Sequence, residues 1–240
     1  MIQNSYDESP TLYLISTPIG NLEDMTYRSV KILNDVSAVF SEDTRVTLNL
    51  LTHYGISKKL IALHEHNEDT AKEKVLDYLK NGESVALVTD RGTPIISDPG
   101  YKTVKYISDN GYNVVALPGA TAFVPALITS GIAPQPFLFY GFLDSKDSIR
   151  KKDLEVLSDE EKTMIFYEAP HRIMKTLNMI LDIFGDRDIS ISREITKKFE
   201  TIYRGKISNV INLVPEKGEF VIVVSGMKER KIDDTINVRD

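Results

Sequence analysis

Short apolar runs alternate with amphipathic stretches through the first half of the chain. Residues 12–16, 36–40, 60–63, 85–88 and 113–117 are brief, rich in β-branched or aromatic side chains and bounded by turn residues, a pattern that predicts strands. Between them, 26–33, 47–54 and 70–79 predict helices; Val75, Leu76 and Leu79 fall on one face of the last, and Gly82 lies beyond its end. After the run ending at Val88, Asp98 is placed to cap a further helix and Pro99 to fill its first turn. Val104 and Ile107 give that helix its buried stripe, and Gly111 its stop. Strands alternating with helices predict an α/β fold with a mainly parallel sheet covered on both faces.

The pattern changes at Pro118 and Gly119. Residues 121–128 predict a helix and 132–136, with two prolines, a loop. Beyond them, 137–142, 163–167, 189–193, 201–203 and 220–224 predict strands, and 149–157, 171–183 and 207–213 predict helices. The strands starting near 189 and 201 are separated by too few residues for a helix, so they are expected to pair as a hairpin in a mixed sheet. Two domains follow, 1–118 and 119–240, with the boundary near Pro118 to Thr121. No flexible linker, low-complexity segment or repeat separates them, so they are expected to pack tightly with a ligand cleft between. The polar end, 227–240, is expected to fray.

Composition narrows the function. The chain has 240 residues, 42% of them hydrophobic, enough for a substantial core. It has no cysteine, which removes disulfides and thiolate metal sites, and four histidines: His53, His64, His66 and His171. No apolar run approaches the roughly 20 residues of a membrane span, and 1–10 lacks the apolar core of a signal peptide. A soluble, cytoplasmic protein is the expectation. The net charge of -6 argues against indiscriminate nucleic-acid binding but not against a local basic face. G-x-G-x-x-G, the Walker-type loop and the G-x-S-x-G elbow are all missing, which disfavours classical dinucleotide, P-loop and α/β-hydrolase chemistry.

Polar clusters recur where the first-half strands end. They are Thr17-Pro-Ile-Gly-Asn21, Glu42-Asp-Thr-Arg45, His64-Glu-His-Asn67 and Asp90-Arg-Gly-Thr93. In a parallel sheet these ends share one edge, where open α/β sheets bind ligands. Glu42, Asp43 and Arg45 can form a charged network or, equally, an ion pair with a helix cap at Asp43 or Thr44. On an extended segment His64 and His66 would point the same way, but without a third ligand proton handling or substrate orientation fits them better than a metal; no metal site is expected. In the second half, Glu168 sits at a strand end and Arg172 just beyond it, to hold a phosphate or to pair locally. The basic run from Arg193 to Lys198 is either a solvated face or a nucleic-acid contact.

Ordered along the chain are Leu12-Tyr-Leu-Ile-Ser-Thr-Pro-Ile-Gly-Asn-Leu22, Ser41-Glu-Asp-Thr-Arg45, Leu63-His-Glu-His-Asn67, Gly92-Thr-Pro-Ile-Ile-Ser-Asp-Pro-Gly100 and Leu117-Pro-Gly-Ala120. Tyr140-Gly-Phe142, Phe166-Tyr-Glu-Ala-Pro-His-Arg172, Arg193-Glu-Ile-Thr-Lys197 and Lys217-Gly-Glu-Phe220 follow. Each piece is weak alone, but the ordered set resembles the tetrapyrrole methylase superfamily, and within it the 16S rRNA (cytidine-2'-O)-methyltransferase branch. Corrin and sirohaem methylases generally carry Gly-x-Gly-Pro-Gly in the first loop and Gly-Asp-Pro in the later one; Ser16-Thr-Pro-Ile-Gly20 and Gly92-Thr-Pro94 are the RNA branch's forms. Arg91 departs from that branch, which often has alanine before this glycine.

The resemblance implies a two-domain, homodimeric enzyme that binds S-adenosylmethionine between its domains and methylates a ribose 2'-hydroxyl of a cytidine in 16S rRNA, within the small ribosomal subunit. Its implied cofactor set is Pro18, Asp90, Gly92, Thr93, Ile96, Thr121, Ala122, Glu168 and Ile195. A ribose hydroxyl is a poor nucleophile and needs a base or orienting group; Glu65, His64, His66 and Asp43 are the candidates. Arg28, Arg45, Arg172, Lys197 and Lys198 are candidate RNA contacts. A tetrapyrrole C-methyltransferase and a non-catalytic RNA-binding assembly factor are the alternatives.

Overall fold

A computed structural model describes residues 3, 5 and 7–227. The chain falls into two compact units, Met1–Thr121 and Ala122–Asp240.

The first unit runs β1 (Thr11–Ile15), α1 (Tyr27–Asp35), β2 (Ala38–Ser41), α2 (Thr44–His53), β3 (Lys59–Ala62), α3 (Glu68–Lys80), β4 (Val85–Val88), α4 (Tyr101–Asp109) and β5 (Asn113–Leu117). Its sheet is wholly parallel, in the order β3-β2-β4-β1-β5. Alternation along the strands splits the core into two. Leu12, Phe40 and Leu87 face Val75, Leu76 and Leu79 of α3 and Ile107 of α4. Ile15, Val39 and Val88 face Leu33 of α1 and Leu51 of α2. The register places Ile15 opposite Val88 and Leu117, and Val88 opposite Ser41. The chain therefore leaves four neighbouring strands at one edge.

Two helix starts are set by their cap residues. Asp43 caps α2, its carboxylate accepting from the Arg45 N–H at 2.8 Å, so this helix begins three residues before the apolar stripe does. Asp98 does not cap α4; the helix begins at Tyr101, beyond Pro99, with Gly100 as its cap residue at φ 126. A Cβ at Gly100 would stand 2.9 Å from Leu87 Cδ2, so the backbone must press against the sheet there and only glycine permits it. Gly111, at φ 84, follows the end of α4 as expected.

The second unit runs α5 (Phe123–Thr129), β6 (Phe137–Phe142), α6 (Asp147–Leu157), β7 (Thr163–Glu168), α7 (Ile173–Phe184), β8 (Asp188–Arg193), β9 (Thr201–Lys206), α8 (Ile207–Val210) with a 3-10 turn (Ile211–Leu213), and β10 (Phe220–Val224). The sheet order is β6-β7-β10-β8-β9, parallel between β6 and β7 and antiparallel elsewhere, the mixed sheet the pattern predicts. β10, Phe-Val-Ile-Val-Val, is buried throughout because it is the central strand. β9 extends to Lys206, past the expected Tyr203, since pairing with Asp188 and Ile189 carries the ladder on through polar residues and Gly205. Beyond Met227 the expected frayed stretch lies outside the described residues. Among the described residues no helix is long and apolar enough to cross a membrane.

Candidate active site

Three strand-end loops of the first unit are joined by hydrogen bonds. Thr17 and Gly92 form an isolated antiparallel bridge, with N–H to O distances of 2.8 and 3.0 Å. Beside it the Ser16 and Thr93 hydroxyls meet at 3.1 Å, and the Thr93 hydroxyl lies 3.0 Å from the Ala120 carbonyl, to which it donates. The Thr17 hydroxyl donates to the Thr89 carbonyl at 3.0 Å. Glycine is required where these backbones touch: a Cβ on Gly119 would stand 2.7 Å from Ser16 Cβ, and Gly92 holds a φ of 85°. The structure thus brings Pro18, Asp90, Gly92 and Thr93 together, with Thr121 directly after Ala120. Ile96 is in the same loop and partly exposed. Ile95 and Ser97 hold positive φ of 76° and 67°, a strained backbone anchored by the bridge at Gly92.

A second cluster gathers one strand further along. The Asp43 N–H donates to Asp90 Oδ1 at 3.0 Å, and the Thr89 hydroxyl reaches Glu42 Oε2 at 3.4 Å. Asp98 lies close to Thr89, Glu42 and Asp90. Burial is the main cause that raises the Asp98 carboxyl to about 6, reinforced by Glu42 and Asp90. Burial and the Asp90 charge push Glu42 upward as well. By contrast the Arg45 guanidinium, 2.6 Å away, and the α2 N–H groups hold Asp43 down at about 2. A carboxylate so stabilised is a weak base.

Next to this cluster the His64 loop is a tight turn and not an extended segment. Asn67 organises it, accepting from the His64 N–H at 2.8 Å and donating to the Ala62 carbonyl at 3.0 Å. His64 is half-buried, and its Nδ1 is buried with no hydrogen-bond partner among the described residues. Glu65 and His66 are exposed, and the two imidazoles stand 6.0 Å apart at 65°. The side-by-side arrangement expected from strand alternation is therefore replaced by a turn. Among the described residues no group of three His, Cys, Asp or Glu side chains is arranged to hold a metal ion.

In the second unit Glu168 ends β7 fully buried. Its Oε1 accepts from the Arg172 Nε at 2.8 Å and from the Ala169 N–H at 2.7 Å; its Oε2 accepts from the Thr176 hydroxyl. Buried Arg150 donates to Thr176 at 3.1 Å and pairs with Asp147, which also pairs with Lys175. Arg172 is thus locally paired, the second of the two roles open to it. Lys197 is held between Glu194 at 2.9 Å and Glu219 at 2.7 Å, while Lys198 is exposed. Ala122 and Ile195 pack on one apolar cluster with Ala126, Ile165 and Val221. Arg28 and Arg45 are exposed in the first unit.

Residues 11–211 match the family model described as tetrapyrrole (corrin/porphyrin) methylases. This chain belongs to that family. It is 48% identical over 234 residues to the ribosomal RNA small subunit methyltransferase I of Bacillus subtilis, covering 96% of this chain and 80% of the relative. The protein of the same name from Haemophilus influenzae is 43% identical over 237 residues, covering 96% and 84%. A solved uroporphyrin-III-C-methyltransferase from Thermus thermophilus aligns with a TM-score of 0.63 at 16% identity, over 90% of this chain and 94% of that one. A diphthine synthase aligns at 0.68 and 12%, over 92% and 91%. These two establish a shared fold only.

For a chain of this methylase family, the sequence reading missed Asp98 as part of the site. An aspartate before proline at a helix start reads as a cap; the signal against it is Gly100, which moves the start and frees the carboxylate to join Glu42 and Asp90.

Proposed function

We propose that this chain transfers a methyl group from S-adenosylmethionine to the ribose 2'-hydroxyl of a cytidine in 16S rRNA, acting as a homodimer on the small ribosomal subunit. The observation that carries the reading is the stitched set of loops at Thr17, Gly92 and Ala120 in a chain whose rRNA methyltransferase relatives match it over nearly its full length.

The residues present fit the cofactor. Beside the loop crossing the carboxylates of Glu42, Asp90 and Asp98 repel one another, so a cationic ligand is electrostatically favoured there. Pro18, Asp90, Gly92, Thr93, Ile96 and Thr121 of the first unit would hold it. Glu168, its carboxylate consumed by Arg172 and Thr176, contributes by shaping the backbone after β7. When bound, S-adenosylmethionine supplies an electrophilic methyl group.

Of the four candidate bases, His64 is supported best. Asp43 is held as a paired carboxylate, and Glu65 and His66 are exposed. His64 has a backbone fixed by Asn67 and a half-buried imidazole close to Glu42, suited to orienting the 2'-hydroxyl and taking its proton as oxygen attacks.

The test offers purified protein and tritiated S-adenosylmethionine to small subunits, bare 16S rRNA and a corrin precursor. Label in 2'-O-methylcytidine after nuclease digestion is the expected result. Label only in the corrin would establish the C-methylase alternative, and cofactor binding without transfer would favour an assembly factor.

A further inference from the structure

The turn between β8 and β9 holds an exposed aromatic ring on an immobilised backbone. Phe199 is 66% exposed, unusual for a phenyl group. Its carbonyl nevertheless accepts from the Thr201 hydroxyl at 3.1 Å and from the Arg193 guanidinium at 3.5 Å. Arg193 is itself anchored to the Lys217 carbonyl at 2.6 Å. Further back, the Thr196 N–H donates to Glu200 at 2.6 Å, and Lys197 ties Glu194 to Glu219. Glu194 and Thr196 are held at φ of 55° and 67° in this turn. Glu194 and Glu200 are thus hydrogen-bonded within the turn, whereas Lys198 is exposed with its ammonium over the Phe199 ring, 5.7 Å from the centroid.

We propose that Phe199 is a stacking platform for an unpaired base of the RNA substrate, with Lys198 beside it to meet an adjoining phosphate. The inference rests on the rRNA reading above and adds Phe199, which the sequence did not offer, to Lys198, which it did. A flat apolar face next to a lone cation matches the two parts of a nucleotide: every base has a π-face, and every link carries a negative charge. A protein partner fits less well, because Lys198 against the ring is charged and exposed, and interface centres are depleted of lysine. Prior fixing of the backbone lowers the entropy lost on stacking.

The experiment compares wild type, Phe199→Ala, Phe199→Trp and Lys198→Ala. It measures binding to a fluorescein-labelled single-stranded RNA of about ten nucleotides, spanning one such site, across a salt series, and methyl transfer to small subunits. Phe199→Ala should bind RNA about 5- to 100-fold more weakly, raise KM for the subunit more than it lowers kcat, and keep the wild-type salt slope. Phe199→Trp should restore binding. Lys198→Ala should reduce the salt slope by about 0.7. S-adenosylmethionine affinity and the thermal midpoint should not change, since the ring is on the surface. Wild-type methyl transfer to rRNA with undiminished RNA binding by Phe199→Ala would overturn the platform alone. A change in sedimentation of Phe199→Ala would assign the ring to contact between copies and also overturn it. Absence of RNA binding and methyl transfer in the wild type would remove the functional reading and the platform together.

Discussion

Arg172 Nη2 lies 2.7 Å from Glu168 Oε1, and this pair diverts two groups that the sequence offers to ligands into the interior of the second unit. Thr176 and Arg150 close the other side of the carboxylate. Removing the Glu168 charge leaves the mostly buried Arg172 without its partner and takes the 3.9 Å contact from Arg150, which keeps Asp147. Glu168→Gln is therefore expected to lower stability by about 3 kcal/mol or more, measured by urea unfolding. A variant as stable as wild type with weakened cofactor binding would return Glu168 to the ligand set.

Gly119 and Ser16 define how closely two loops approach. Gly119→Ala places a methyl group 2.7 Å from Ser16 Cβ and should separate the loops, lowering stability by about 1–3 kcal/mol and weakening S-adenosylmethionine binding in calorimetry. Adding Ser16→Gly removes the opposing Cβ and should recover part of both losses. Strict additivity of the two changes would show that the contact is not the cause.

Asp98 predicts a pH signature. Its folded value, about 6, lies above the ordinary carboxylate value of 3.8, so its contribution to stability is fully present below about pH 4 and is lost as pH rises through 6. Asp98→Asn keeps an acceptor beside Thr89 and carries no charge. It should be more stable than wild type at pH 7, with the difference shrinking towards pH 4 in denaturant midpoints. A difference independent of pH would mean that Asp98 is not destabilised by burial and by Glu42 and Asp90.

His64 and Asp43 should separate in kinetics. His64→Gln is expected to lower kcat by about 100-fold or more with cofactor affinity kept. Asp43→Asn retains a helix-capping oxygen and should methylate within a few-fold of wild type, whereas Asp43→Ala should cost about 1 kcal/mol of stability. Single-turnover transfer checks both; a large loss in Asp43→Asn alone would reverse their roles.

Much of the fold was legible locally. Runs such as Val85–Val88 and Asn113–Leu117 match the strands residue for residue, because a short β-branched stretch between turn residues has little alternative in an α/β chain. The alternation of these runs with amphipathic helices also specified the parallel sheet and therefore the shared edge where Pro18, Asp90, Gly92 and Thr93 meet. Motif order identified the family, since it depends on residue identity and spacing alone.

Pairing between distant residues was not legible. Arg172 has Glu168 four residues away and Lys197 has Glu194 three residues away, both within local reach, but Lys197 is also tied to Glu219, which only the fold brings to it. Whether Asp98 caps a helix or joins Glu42 depends on how closely Gly100 approaches Leu87. The sequence by itself determined the elements, their order and the ligand edge, because those follow from short-range periodicity. Only the tertiary structure decided which charges stay available for chemistry, because burial and partner distance are properties of the packed chain.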